Sequence, residues 1–493
     1  MGTGIQAKVG LRVLAAAFSA AMLAPALAQA APGDIAFAGC VADAGANGCG
    51  DPFQDPLNGA SDVAVSPDGT SVYATSVNDD SISHFTRAAN GDVVFAGCVA
   101  DNGANGCIDP PQDPLAAAGD VAVSPDGTSV YVTAPLDDSI SHFTRAANGS
   151  ITFSGCIADN GANGCIDPFQ DPLDGPSDVA VSPDGSSVYV TSSNDDAISH
   201  FTRAANGSIT FSGCIADNGA NGCIDPFQDP LGGAAGVAVS PDGTSVYVTA
   251  PLDDSISHFT RAANGSIAFA GCVADSGANG CIDPPADALD GAGGVAVSPD
   301  NRSVYVTSFD DDSISHFTRA ANGSIGFAGC TADNGASGCV DPFQDPLGGA
   351  FGVAVSPNGR SVYVASIEDD SVSHFTRELP PAPPPPADTD PPGVTVSAKK
   401  VEAGKPIAVT VSCDEACSVD LGGTAKPKGA KRGGLAERSA ELAAGTPQTL
   451  KLKPAGKLKR KLRSAGKGKA TVEAVATDAA GNRGGDSVKV KLK

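Results

Sequence analysis

A Val-Ala-Val segment begins at Val63, Val121, Val179, Val237, Val295 and Val353, a fixed step of 58 residues. Six near-identical units in register constrain the fold more than any other property of the chain, because so short a unit buries its apolar faces only against its neighbours. Each unit offers four strand candidates, at 121–124, 129–133, 139–145 and 150–156 in the second copy, rich in Val, Ile, Tyr, Phe and Thr. Pro125-Asp126-Gly127 and Asn148-Gly149 punctuate them as turns. Four-stranded units repeated about an axis make a β-propeller.

The phase of the repeats predicts how such a ring closes. Residues 34–40 (DIAFAGC) repeat the fourth-strand sequence, whereas the sixth unit ends after its third strand at Arg377. The N-terminal strand is therefore expected beside 371–377, closing a six-bladed propeller over residues 31–378 without open edges. Ahead of it, Lys8, Arg12, an apolar run over 13–27 and Ala28-Gln29-Ala30 follow the order of a secretory signal peptide, so residues 1–30 are expected to be removed. No later segment approaches the ~20 apolar residues of a membrane span. Residues 379–393 are a Pro-rich, semi-rigid linker. Beyond it, alternating segments at 394–397, 407–412, 449–452, 470–477 and 487–492 predict a small C-terminal β-sandwich over 394–493, which makes the chain all-β.

Fourteen cysteines fall two to each repeat, with Cys413 and Cys417 left for the C-terminal module. An even, regularly spaced set in an exported chain reads as local disulfides: Cys40 with Cys49, Cys98 with Cys107, Cys156 with Cys165, Cys214 with Cys223, Cys272 with Cys281, Cys330 with Cys339 and Cys413 with Cys417. Each repeat also carries one histidine, from His84 to His374, which raises zinc as a competitor. A two- or four-residue hairpin loop would pair His84 with Gly97 or Phe95, and either register puts His84 and Cys98 on opposite faces. They are poor co-ligands for one metal. The histidine reads instead as a packing and hydrogen-bonding residue between blades.

Charge is divided unevenly. Residues 31–378 hold 45 acidic and 8 basic side chains, whereas residues 394–493 hold 9 acidic and 21 basic. The first region repels nucleic acid and anionic membranes and attracts cations or basic partners; the second does the reverse. In a meander, the loop between strands two and three and the loop to the next blade lie on one face. Both are acidic here, the first through pairs such as Asp137-Asp138 and Asp195-Asp196, the second through Asp159, Asp167 and Asp171 in one copy. Hard cations take six to eight oxygen ligands, so Asp159, Asp167, Asp171, Asp195 and Asp196, with their equivalents in other repeats, are candidate calcium ligands. Against calcium stands the ordinary use of Asp before Pro or Gly as a turn residue. No other cofactor is expected.

The strings VAVSPDGTSVYVTS and DDSISHFTR resemble the repeats of the YVTN and lactonase-like β-propeller group over residues 34–377. That resemblance implies the propeller fold and, for some members, lactone hydrolysis. No family catalytic residue carries over, since no single-copy motif matches. Asp388-Thr389-Asp390-Pro391-Pro392 and Ala476-Thr477-Asp478-Ala479-Ala480-Gly481-Asn482 are similar to bacterial Ig-like modules of exported proteins, which implies display or adhesion. An enzyme needs a few differentiated groups in one geometry, and this repeat offers the same groups six times. The expectation is a secreted, periplasmic or surface-displayed binding scaffold, with a protein or carbohydrate ligand at its acidic face and anionic cell-wall polymer at its basic module. The alternative is a lactonase-type hydrolase with an axial site on the acidic face.

Overall fold

The computed structural model describes residues 40–342, 344–369, 371–378 and 388–493. The chain divides into two units, Met1–Leu379 and Pro380–Lys493. The signal segment, the strand expected at 34–39 and most of the linker lie outside the described residues.

In the first unit each repeat folds as an antiparallel sheet in sequence order. The first sheet consists of Ala60–Val65, Ser71–Ser76, Ser81–Arg87 and Val93–Ala100. Four more sheets repeat this order, and a sixth holds three strands, Ala350–Val355, Ser361–Ser366 and Ser371–Thr376. The result is an all-β, propeller-like arrangement. The Ser-Pro-Asp-Gly-Thr turn forms because Asp68 collects the Ser66 hydroxyl at 2.5 Å and the Thr70 N–H at 3.0 Å, while Gly69 takes a φ of 67°. Seven disulfides close as the spacing predicts, and no cysteine among the described residues is free.

His84 takes one of the two expected partners, by way of a longer loop and a bulge. The hairpin runs Arg87 opposite Val93 and Phe85 opposite Phe95, yet His84 faces Gly97, so Ala96 is bulged out. A five-residue loop and the bulge together restore the pairing that a two-residue loop alone would have given. His84 and Cys98 remain on opposite faces because Cys98 pairs with Ser83.

The core lies between sheets. Tyr73 and Ile82 of the first sheet pack on Leu115, Val121, Val130, Val132 and Phe143 of the second, and the pattern recurs along the array. Such an interface contributes on the order of 10 kcal/mol before conformational entropy is set against it. Polar groups fix the register of this packing. The Tyr73 hydroxyl donates to the Gly149 carbonyl at 2.6 Å, and Gly149 is required there because a Cβ would overlap Ser71 and His84. First strands of successive sheets pack on one another and so lie innermost.

The two ends of the array are unlike its middle. Val63 is 61% exposed whereas its equivalents Val121 and Val179 are 5% and 4% exposed; Val372, the counterpart of fully buried Ile82, is 59% exposed. These are the two faces that ring closure would bring together.

The second unit contains two antiparallel sheets around one core. Val394–Ala398, Ile407–Cys413 and Gln448–Leu452 form one; Gly433–Gly434, Cys417–Pro427, Gly468–Thr477 and Arg483–Leu492 form the other, with Arg438–Leu442 on Cys417–Pro427. A helix, Gly456–Ala465, buries Leu458 and Leu462 and leaves Lys457, Lys459, Arg460, Lys461 and Arg463 exposed. Its four-residue leucine spacing is the amphipathic pattern of a surface helix. Seven disulfides fit an oxidising, extracytoplasmic compartment. Among the described residues no helix is long and apolar enough to cross a membrane.

Candidate functional site

The innermost strands break the sixfold equivalence. At one position the repeats read Asp62, Asp120, Asp178, Gly236, Gly294 and Gly352, so carboxylates line three consecutive sheets and glycine the other three. Asp62 accepts the Val121 N–H at 3.1 Å, Asp120 the Val179 N–H at 2.9 Å and Asp178 the Val237 N–H at 2.7 Å. Each bond crosses to the next sheet. Gly236 and Gly294 instead allow close approach, since a Cβ would strike the carbonyls of Gly293 and Phe351.

Asp120 sits between Asp62 and Asp178, within hydrogen-bonding reach of both. Burial first, and then the two neighbouring charges, push its carboxyl well above the ordinary range. Asp178 is raised less, chiefly by burial, because the Asp120 proton and the N–H groups of Val237 and Val179 stabilise its ionised form. The row therefore sets carboxyls side by side, with Asp120 harder to ionise than Asp178. The sequence-based expectation that no differentiated constellation exists is corrected at this position.

The histidines are committed elsewhere. His142 stacks on Tyr131 with ring centroids 5.2 Å apart, and its Nε2 lies 3.2 Å from Ser129 Oγ. Burial and then the Arg203 guanidinium hold it down at about 4, so it is neutral at pH 7. A cleft of about 430 Å³ beside it is lined by Thr128, Thr144, Ser154, Ala205, Asn206 and Ser208, with His142 its one titratable residue.

The acidic loops lie where the meander places them. Of the five predicted calcium ligands, Asp159 feels the charges of Asp195 and Asp171, and of Asp138 in the preceding turn, but among the described residues three carboxylate oxygens converge only at Asp388, Glu415 and Asp478. Asp167 instead caps the Phe169 N–H at 2.9 Å, and Asp196 caps the Gly233 N–H at 2.7 Å in the next group along. Asp138, the equivalent of Asp196 one repeat earlier, stands beside Asp159 because Ser139 pairs with Ala158 in the same sheet. From the same loops Phe53, Phe169 and Phe227 project almost fully into solvent. In the second unit, Asp388, Glu415 and Asp478 bring one oxygen each within 4.8 Å of one another.

Residues 104–224, which span the second and third sheets and include Asp120 and Asp178, match the family model described as "Lactonase, 7-bladed beta-propeller". That description counts seven blades, whereas the described residues of the first unit form six sheets. No curated protein matches the chain. Among solved structures, the periplasmic gluconolactonase of Pseudomonas aeruginosa aligns at 18% identity over 66% of this chain and 82% of its own, with a TM-score of 0.45. A functionally unknown protein of Desulfotomaculum acetoxidans aligns at 16% identity over 65% of this chain and 83% of its own, with a TM-score of 0.46. The propeller unit is similar, through its second and third repeats, to lactonase-type propellers.

Proposed function

We propose that the propeller hydrolyses a neutral lactone at its axis, with Asp120 and Asp178 as the acid–base pair and Asp62 holding the Asp120 proton in place by its charge. The observation that carries this reading is the restriction of carboxylates to three of six equivalent inner positions, Asp62, Asp120 and Asp178. Water adds to the ring carbonyl as the Asp178 carboxylate takes its proton; the acyl–oxygen bond breaks as Asp120 protonates the departing alkoxide. The hydroxy acid leaves, and the proton returns from Asp178 to Asp120 across their hydrogen bond. Neighbouring carboxylates with pKa values pushed apart suit these two roles. The family match over residues 104–224 supports the reaction class. The surrounding acidity disfavours a phosphorylated substrate, so an uncharged sugar or aliphatic lactone fits best. A panel of neutral and phosphorylated lactones tests this with the purified chain. Turnover of neutral lactones is expected; its absence across the panel would return the propeller to a binding scaffold, with Phe53, Phe169 and Phe227 as its presented surface.

An axial site is complete only in a closed ring, and we infer that residues 34–40 supply the outer strand of the sixth sheet. Tyr73, Tyr131, Tyr189 and Tyr247 each reach a glycine carbonyl 76 residues on. Continued around six units of 58 residues, that step takes Tyr305 to Gly33. The C-terminal unit, taken as an Ig-like module, would hold the protein on anionic wall polymer through its basic helix face. Sedimentation of the chain with cell wall at low salt, lost at high salt, is the expected result; no binding at low salt would remove that role.

A further inference from the structure

Three phenylalanines stand in the acidic loops at a double disadvantage. Phe53, Phe169 and Phe227 are 91%, 95% and 90% exposed, and each holds a positive φ, of 66°, 78° and 66° respectively. A bulky residue in the left-handed region is strained, and here no packing of the ring offsets the strain. The loop does not need the ring to close. Pro111 takes the same place in the second repeat, and Gln112 beside it still reaches the Gly164 carbonyl, as Gln54, Gln170 and Gln228 reach those of Gly106, Gly222 and Gly280.

Further apolar groups join these rings into a surface. Ile166, Ile224 and Ile282 each follow a disulfide cysteine and are each 66% exposed. The bonds from Gln170 Nε2 to the Gly222 carbonyl, at 2.6 Å, and from Gln228 Nε2 to that of Gly280, at 2.7 Å, hold each phenylalanine's turn against the loop that carries the next isoleucine. Asn221 and Asn279 reinforce the tie by donating to the Asp171 and Asp229 carbonyls, at 2.7 and 2.6 Å. The apolar order along this rim is therefore Ile166, Phe169, Ile224, Phe227, Ile282. Asp167, Asp171, Asp225 and Asp229 are interleaved with it. Every basic residue of the repeats lies elsewhere: Arg87, Arg145, Arg203, Arg261, Arg319 and Arg377 close the third strands, and Arg302 and Arg360 sit in the turns after the first strands.

We infer that this rim is a docking surface for a cationic polypeptide that carries bulky apolar side chains among its Lys and Arg residues. The charge of the surface selects the partner's sign, since residues 31–378 hold 45 acidic and 8 basic side chains and none of the basic ones stands in these loops. Aromatic rings already fixed by a tied loop anchor such a contact at little cost in ordering, and docking takes them out of water. A neutral saccharide would leave the interleaved carboxylates without cationic partners. The rim shares no residue with the row of Asp62, Asp120 and Asp178, so docking and lactone hydrolysis stand or fall separately.

The probe is a labelled peptide of alternating Lys and Leu, set against a Lys-Ser peptide of equal length and charge, with binding to the full chain read by fluorescence anisotropy. The Lys-Leu peptide should bind at least about tenfold more tightly, and both should weaken as salt rises. Phe169→Gly combined with Phe227→Gly should lower its affinity by about tenfold and leave melting nearly unchanged, because glycine suits the left-handed backbone. Val94→Thr is the control: Val94 is 64% exposed on the outer strand of the first sheet, Thr152 and Thr210 fill its place in other repeats, and affinity should hold. Equal affinity for the two peptides, or undiminished affinity in the double variant, would overturn the inference. A large fall in melting of the double variant would show that the rings support the fold, and would overturn it likewise. So would displacement of the peptide by a neutral oligosaccharide, or a salt-sensitive self-association of the chain that the double variant abolishes, since these would give the rim to a sugar or to a second copy.

Discussion

Arg145 of the second sheet places its Nη2 3.0 Å from Oδ2 of Asp68 in the first, and the same bond recurs at Arg203–Asp126, Arg261–Asp184, Arg319–Asp242 and Arg377–Asp300. The arginine is the buried partner, at 4% exposure against 47% for the aspartate. It also donates to the Tyr73 hydroxyl and the Gly127 carbonyl, so one guanidinium ties together both polar locks between adjacent sheets. Concentrating the cations at these turns leaves the opposite loops without any.

Removing such an arginine should cost far more than removing its aspartate. Arg203 bonds to Tyr131, Gly185, Asp126, Thr128 and Ser129 with its side chain almost wholly buried. Arg203→Lys keeps the charge but loses the planar fork, and is expected to destabilise by roughly 2–4 kcal/mol. Asp126 is nearly half exposed, so Asp126→Asn should cost about 1 kcal/mol or less. Denaturant midpoints of the two variants check this. Equal losses would mean that the ion pair, and not the buried fork, holds the sheets.

Closure makes a separate prediction. If residues 34–40 complete the sixth sheet, their deletion exposes its edge and unseats the contact between the faces that carry Val63 and Val372. The melting temperature should fall by several degrees, and the variant should self-associate through its two complementary ends. A monomer with unchanged melting would show that the ends stay open in the intact chain.

Much of this architecture is legible in the residues. The 58-residue step, the Pro-Asp-Gly turns and the paired cysteines fix the sheets and disulfides, because those interactions are local. The Arg145–Asp68 pair spans 77 residues and depends on how one sheet leans on the next, which no periodicity reveals. The Asp62, Asp120 and Asp178 series is plain once the six copies are stacked in register. Its meaning is not, because only the packing of first strands shows that this column lies innermost.

Stability should depend on pH in a window set by the loop carboxyls. Asp101, Asp159, Asp217 and Asp275 titrate near 7 when folded and near 3.9 when unfolded, so between these values the folded state holds protons that the unfolded state has released. Stability then falls as pH rises. His142, His200 and His258 act oppositely, with folded values of about 4 against ~6.5 unfolded, but their contribution is complete above pH 6.5. In chelator, the denaturant midpoint should therefore decline between pH 6.5 and 8. A flat profile would mean that these carboxyls are hydrated in solution.

The axial row gives the most discriminating substitution. Asp120→Asn retains an oxygen for the Val179 N–H and removes the proton shared with Asp62 and Asp178, so folding should be unaffected or slightly favoured while the acid is lost. With a lactone that the unmodified chain turns over, kcat should fall by about 10²–10⁴ and KM should change little. Asp178→Asn should fall similarly, because each carboxyl is useless without the other. Asp62→Asn should act through the Asp120 proton, lowering the pH at which activity is lost on the alkaline side. Full activity in Asp120→Asn with normal melting would remove the row from the chemistry and leave it as a set of bridges between inner strands.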